Sequence, residues 1–93
     1  MTSTRSNIEA TFRFHEGEQV LMTSIPIIEP LPANIGDTLI IMSPSGRAEI
    51  RDLKAIEYAL KPGGKEFYGL ELSGELISDF EDFTGGYFAK NSK

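Results

Sequence analysis

Two short stretches of this 93-residue chain concentrate the side chains that could do chemistry. Between positions 75 and 82, Glu75, Asp79, Glu81 and Asp82 occur without a base, and Leu76, Ile77, Phe80 and Phe83 alternate with them. A surface helix carrying both could enter a basic groove through its carboxylates, or an apolar groove through its aromatic rings. Glu75, Asp79, Phe80, Asp82 and Phe83 are therefore the candidate partner-binding residues. The competing reading is structural: the rings close one end of a core and the acids face water.

The second stretch is basic. Arg47, Arg51, Lys54, Lys61 and Lys65 supply five of the nine Lys and Arg residues in a chain whose net charge is −5. Guanidinium and ammonium groups at this density suit an anion, and a nearby tyrosine suits stacking on a base. Arg47, Arg51, Lys54 and Tyr58 are accordingly the ligand-binding candidates of an alternative reading. Interleaved Glu49, Asp52 and Glu57 favour a plainer one, the solvated face of a strand.

Catalytic and metal chemistry find little support. The single histidine, His15, stands beside Glu16 and Gly17 in a turn-like stretch, without the positioned partners that proton transfer requires. Leu72-Ser73-Gly74 lacks the first glycine of a nucleophile elbow. Gly63-Gly64-Lys65 is followed by Glu66, where a phosphate loop needs a hydroxyl. There is no cysteine and no calcium-loop spacing, so neither a thiolate metal site nor a disulfide scaffold is expected. The expectation is a noncatalytic protein with no cofactor.

The elements that must position these residues read mostly as strands. Ile8, Ala10, Phe12 and Phe14 alternate with polar residues and predict a first strand with those four facing inward. A second strand is predicted over Gln19 to Ile28. The parity of its apolar residues changes from Val20 and Met22 to Ile25 and Ile27, which predicts a bulge near Thr23-Ser24 returning both pairs to the core. Pro26 marks an edge at the far end of that strand. Asp37 to Ser43, containing the run TLIIM, predicts a third strand, and Pro44-Ser45-Gly46 reads as a hairpin tip.

Residues 47–60 carry two readings. Ala, Glu, Arg, Leu and Lys dominate, and Ile50, Leu53, Ile56 and Leu60 would fall within about 120° of one helical face. By alternation, Ala48 and Ile50 point inward, the phase slips at Asp52-Leu53, and Ile56, Tyr58 and Leu60 point inward again. The following KPGGK is a good hairpin loop, and Tyr68, Leu70 and Leu72 continue the alternation beyond it. Strand is preferred, with an α+β domain in which 47–60 is helical as the alternative. Leu76, Ile77, Phe80 and Phe83 predict a short terminal amphipathic helix introduced by Ser73 and ended by Gly85-Gly86.

The whole is read as one domain, mainly β: a small, strongly curved antiparallel barrel of about five strands, SH3-like or OB-like, with a short C-terminal helix. Residues 1–6 and 89–93 are read as loose tails. No apolar run approaches the roughly 18 residues of a membrane span, and an N-terminus without an apolar run places the chain in the cytoplasm. Net negative charge disfavours direct binding of nucleic acid. The leading function is a noncatalytic protein-binding module: an adaptor, inhibitor or assembly subunit. The alternatives are a barrel binding a small ligand or nucleotide, and an acidic mimic of nucleic acid. The partner is expected to be a protein; Leu39-Ile40-Ile41-Met42 would be exposed on one side if the sheet were open, and a weak homodimer or a partner is expected to cover it.

Overall fold

A computed structural model describes residues 5–14, 17–60 and 63–91, so the readings of His15 and of Lys61-Pro62 lie outside the described residues. Six strands form: β1 Ser6–Arg13, β2 Gln19–Pro26, β3 Thr38–Met42, β4 Ala48–Leu60, β5 Glu66–Leu72 and β6 Tyr87–Lys90. They close into an antiparallel barrel in the order β1-β2-β5-β4-β3-β6. The curved, mainly β barrel anticipated from alternation is what the chain adopts. Among the described residues no helix is long and apolar enough to cross a membrane.

β4 bridges the two halves of the barrel. Its first part pairs with β3, from Met42↔Ala48 to Thr38↔Asp52, and its second with β5, from Leu53↔Leu72 to Leu60↔Glu66. A register shift between Leu53 and Ala55 accommodates Lys54 and produces the phase slip legible in the sequence. Extra residues of this kind bend a strand and increase its twist, which is how thirteen residues serve two neighbours. Helix over 47–60 is thereby excluded. The turn before β4 is the expected hairpin tip: Arg47 N–H donates to Ser43 Oγ at 2.9 Å, and Ser43 N–H to the Arg47 carbonyl at 2.8 Å.

β2 bends where its parity changes. Its register against β5 shifts between Met22 and Pro26, and Ile25 N–H donates to the buried Thr23 Oγ1 at 3.0 Å. Pairing with β1 ends at Ile8↔Thr23, so the last residues of β2 pair on one side only. The strand stops at Pro26, short of the expected Ile28, whose side chain is exposed.

Inside the barrel lie Ile8, Leu21, Leu39, Ile41, Leu53, Leu70, Leu72 and Phe88, joined by Ile77, Phe80 and Phe83 from the β5–β6 connection. Several expectations of orientation are corrected, Tyr58 among them, since it is 64% exposed where the alternation of β4 pointed it inward. A register shift between Ile8 and Ala10 reverses the parity of β1, so Phe12 and Phe14 emerge on the outside, 41% and 53% exposed. On β2 Leu21 and Thr23 face the barrel interior; Val20, buried as expected at 6% exposure, and the half-buried Met22 lie on the opposite side of the strand. On β4 Ile50 is 52% exposed while Glu49 and Arg51 stand opposite the buried Ile41 and Leu39.

The C-terminal part differs most from expectation. The amphipathic helix reduces to one 3-10 turn, Phe80–Phe83, preceded by Asp79 in a left-handed conformation (φ 52°) that breaks continuity with residue 75. Leu76 is exposed and leaves the apolar stripe to Ile77, Phe80 and Phe83. Ala89 and Lys90 are no tail, since Tyr87–Lys90 forms a sixth strand between β1 and β3. Ser6 likewise belongs to β1, opposite Phe88. Gly86 allows the β6 backbone to lie against β3: a Cβ there would stand 1.9 Å from the Met42 carbonyl oxygen.

Candidate functional site

The two charged stretches face each other. Alternate positions put Arg47, Glu49 and Arg51 on one side of β4. Glu49 joins the two arginines, 3.5 Å from Arg47 and 3.1 Å from Arg51, and Arg47 also reaches Asp82 at 3.7 Å. The Arg47 guanidinium lies over the Phe83 ring, 5.1 Å from its centroid, and Arg51 Nε donates to the Glu75 carbonyl at 3.2 Å. Candidate ligand-binding cations thus bind the candidate partner-binding segment of the same chain.

That segment is clipped to the barrel from the other side as well. The buried Gln19 accepts the Ile77 N–H at Oε1 and donates from Nε2 to the Glu75 carbonyl at 3.1 Å. The Arg13 guanidinium donates to the Ile77 carbonyl and lies over the Phe80 ring. Phe80 and Phe83 are 1% and 0% exposed, with ring centroids 6.4 Å apart. They close the core, while Glu75, Asp79 and Asp82 remain at the surface.

Lys54 and Tyr58 belong to a different face. Lys54 Nζ stands 3.3 Å from Glu71 on the outside of the barrel. Tyr58, 64% exposed, packs beside Tyr68 with centroids 6.0 Å apart, as its place near the hairpin suggested. Tyr68 is anchored by its hydroxyl, which donates to the Glu29 carbonyl at 2.9 Å.

On this face the strands build a groove. One cross-strand row runs Phe12, Val20, Glu71, Ala55; the next runs Ala10, Met22, Gly69, Glu57. Phe12, Phe14, Val20 and Met22 give the groove an apolar wall, Tyr58 stands at the β4 side, and Glu18, Glu57 and Glu71 supply its carboxylates. The concavity measures about 530 Å3. Gly69 forms its floor because a side chain is missing there; a Cβ would lie 3.2 Å from Val20 Cγ1 and 3.5 Å from Glu57 Cβ. A glycine inside a strand weakens it, and often marks a place where another group approaches the backbone.

The groove is acidic as well as apolar. Among the described residues no lysine, arginine or histidine lines it. Glu71 is compensated by Lys54, whereas Glu18 and Glu57 make no ion pair among the described residues. Of the candidate binding residues read from the sequence, Tyr58 alone lines this groove among the described residues. The aromatic pair Phe12 and Phe14 was legible as an alternating apolar run, but its outward direction depends on the β1 register shift.

A third surface follows from the β3 register. Ile40 stands opposite Ile50 on one side and Ala89 on the other, and Met42 opposite Ala48 and Tyr87. These residues share the outer side of the sheet, since Leu39 and Ile41 are buried. Comparison of the chain with family models, curated proteins and solved structures finds no match.

Proposed function

We propose that this protein is a noncatalytic protein-binding module whose working surface is the groove over Gly69. The observation that carries the reading is the outward placement of Phe12 and Phe14 beside a concavity of about 530 Å3, although the same barrel buries Phe80, Phe83 and Phe88. Large rings held at a surface by a rigid sheet supply contact area at low entropic cost, the property that makes aromatics frequent anchors in interfaces. The small-ligand alternative draws less support, because Arg47, Arg51 and Lys54 are engaged by Glu49, Asp82 and Glu71. A chain without cysteine suits a reducing compartment, and the proposal takes the cytoplasm as its setting.

The test compares the wild-type chain with a Phe12→Ser/Phe14→Ser variant as baits in native cell extract. A protein retained by the first and lost by the second, at unchanged melting temperature, supports the reading. Identical capture by two folded baits overturns it.

A second reading rests on the outer face of Ile40, Met42 and Ile50. In this proposal it covers itself weakly with a second copy of the chain. Sedimentation equilibrium should then show a dimer that Ile50→Lys abolishes. A single monomeric species at high concentration removes it.

A further inference from the structure

We infer that the groove over Gly69 receives a basic side chain, lysine or arginine, flanked by apolar residues in a segment of a partner protein. The inference rests on the protein-binding reading and names the chemistry of its partner. Three observations lead to it. The walls offer the aromatic rings Phe12, Phe14 and Tyr58, whose π-faces attract a cation. Among the described residues the charged groups of the lining are all carboxylates, from Glu18, Glu57 and Glu71. Lys54 compensates Glu71, and no ion pair among the described residues compensates Glu18 or Glu57.

Shape and charge agree on this occupant. An acidic segment would set its carboxylates against Glu18 and Glu57, and like charges brought together at an interface are strongly disfavoured. A wholly apolar segment would cover those carboxylates without pairing them, at the cost of their hydration. A basic side chain pairs with them. Its methylene stem can lie along Val20 and Met22 while the charged head reaches the rim. The missing side chain at Gly69 lets that stem approach the backbone of β5, where any larger residue would stand against Val20.

The test uses three synthetic probes and does not require the partner to be identified. A capped peptide alternating leucine and lysine, its leucine–glutamate counterpart and capped lysine alone are titrated against the protein, with backbone amide shifts followed by NMR. The basic peptide should move the amides of Phe12, Val20, Met22, Glu57 and Gly69 and saturate. Capped lysine should move the same amides more weakly, and the acidic peptide should move none of them. Replacing Glu18→Gln and Glu57→Gln together should weaken the basic peptide about tenfold, the loss expected for two partly exposed ion pairs. Added salt should weaken it further.

Equal binding of the acidic peptide, or an affinity untouched by the double neutralisation, overturns the inference. Shifts confined to the acidic segment 75–82 overturn it as well. Its failure is distinguishable from failure of the protein-binding reading. If the basic peptide leaves the groove unperturbed while Phe12→Ser/Phe14→Ser still loses a captured protein, the groove binds a partner of other chemistry. If neither substitution set affects capture, both readings fall.

Discussion

Single residues in this barrel differ sharply in how much change they can absorb, and two glycines show why. At Gly86 an added methyl group would meet the Met42 carbonyl oxygen at 1.9 Å and the Ser43 Cα at 3.1 Å, both backbone atoms of β3 and its turn. Backbone in a paired strand cannot step aside without breaking its ladder, so Gly86→Ala is expected to abolish the cooperative fold, as seen by loss of amide-proton dispersion. At Gly69 the obstacle is Val20 Cγ1 at 3.2 Å, one atom of a side chain on an open face. Gly69→Ala is therefore expected to fold and to leave the groove shallower. Gln19 offers an intermediate case. Gln19→Leu keeps the volume but strips the buried Ile77 N–H of its acceptor. An unsatisfied buried donor costs about 1–3 kcal/mol, a loss that urea denaturation should register as a lower midpoint at unchanged slope.

Among the elements, the connection from β5 to β6 shows how charge and burial divide their roles. Phe80→Ala should destabilise by about 3–5 kcal/mol, since it empties a fully buried phenyl site. Asp82→Lys removes one contact of 3.7 Å from a side chain that is 55% exposed. Surface pairs of this kind contribute about 0–1 kcal/mol, so its melting temperature should hardly move. A stability loss for Asp82→Lys close to that of Phe80→Ala would contradict the division. The strands themselves were largely legible in the sequence. The loop KPGGK, the alternation after it and the slip at Asp52-Leu53 pointed to the β4–β5 hairpin against a helical composition. What stayed hidden depends on contacts between distant positions. β6 is four residues long and is held by partners as remote as Asn7 and Met42. Nothing local distinguishes it from a tail. Phe12 and Phe14 read as core because one extra residue in β1, invisible to periodicity, reverses their direction. Arg47 and Asp82 read as parts of two sites because linear sequence does not show that they meet.

At the scale of the whole molecule, closure governs stability. Each strand pairs with a neighbour on either side, and β6 supplies the joint between β1 and β3. Unpaired strand edges are templates for association with other chains, and a closed ring removes them. Truncation after Gly86 is expected to open the ring, to leave β1 and β3 with bare edges and to produce oligomers in light scattering. A truncated chain that remained monomeric with a cooperative melt would show that β6 is dispensable to the barrel.

The seam between β1 and β6 also determines how the molecule responds to mechanical load. Among the described residues two register pairs, Ser6↔Phe88 and Asn7↔Tyr87, are made across it, between strands running in opposite directions beside the two ends of the described chain. Tension applied at those ends pulls the pairs apart one after the other, as a zip opens, whereas strands loaded in shear would resist together. The seam should therefore yield before any other part of the ring, turning the cylinder into a curled ribbon at low force. A single-molecule trace pulled from both ends should show that early, soft event, and linking the ends through a short loop should remove it.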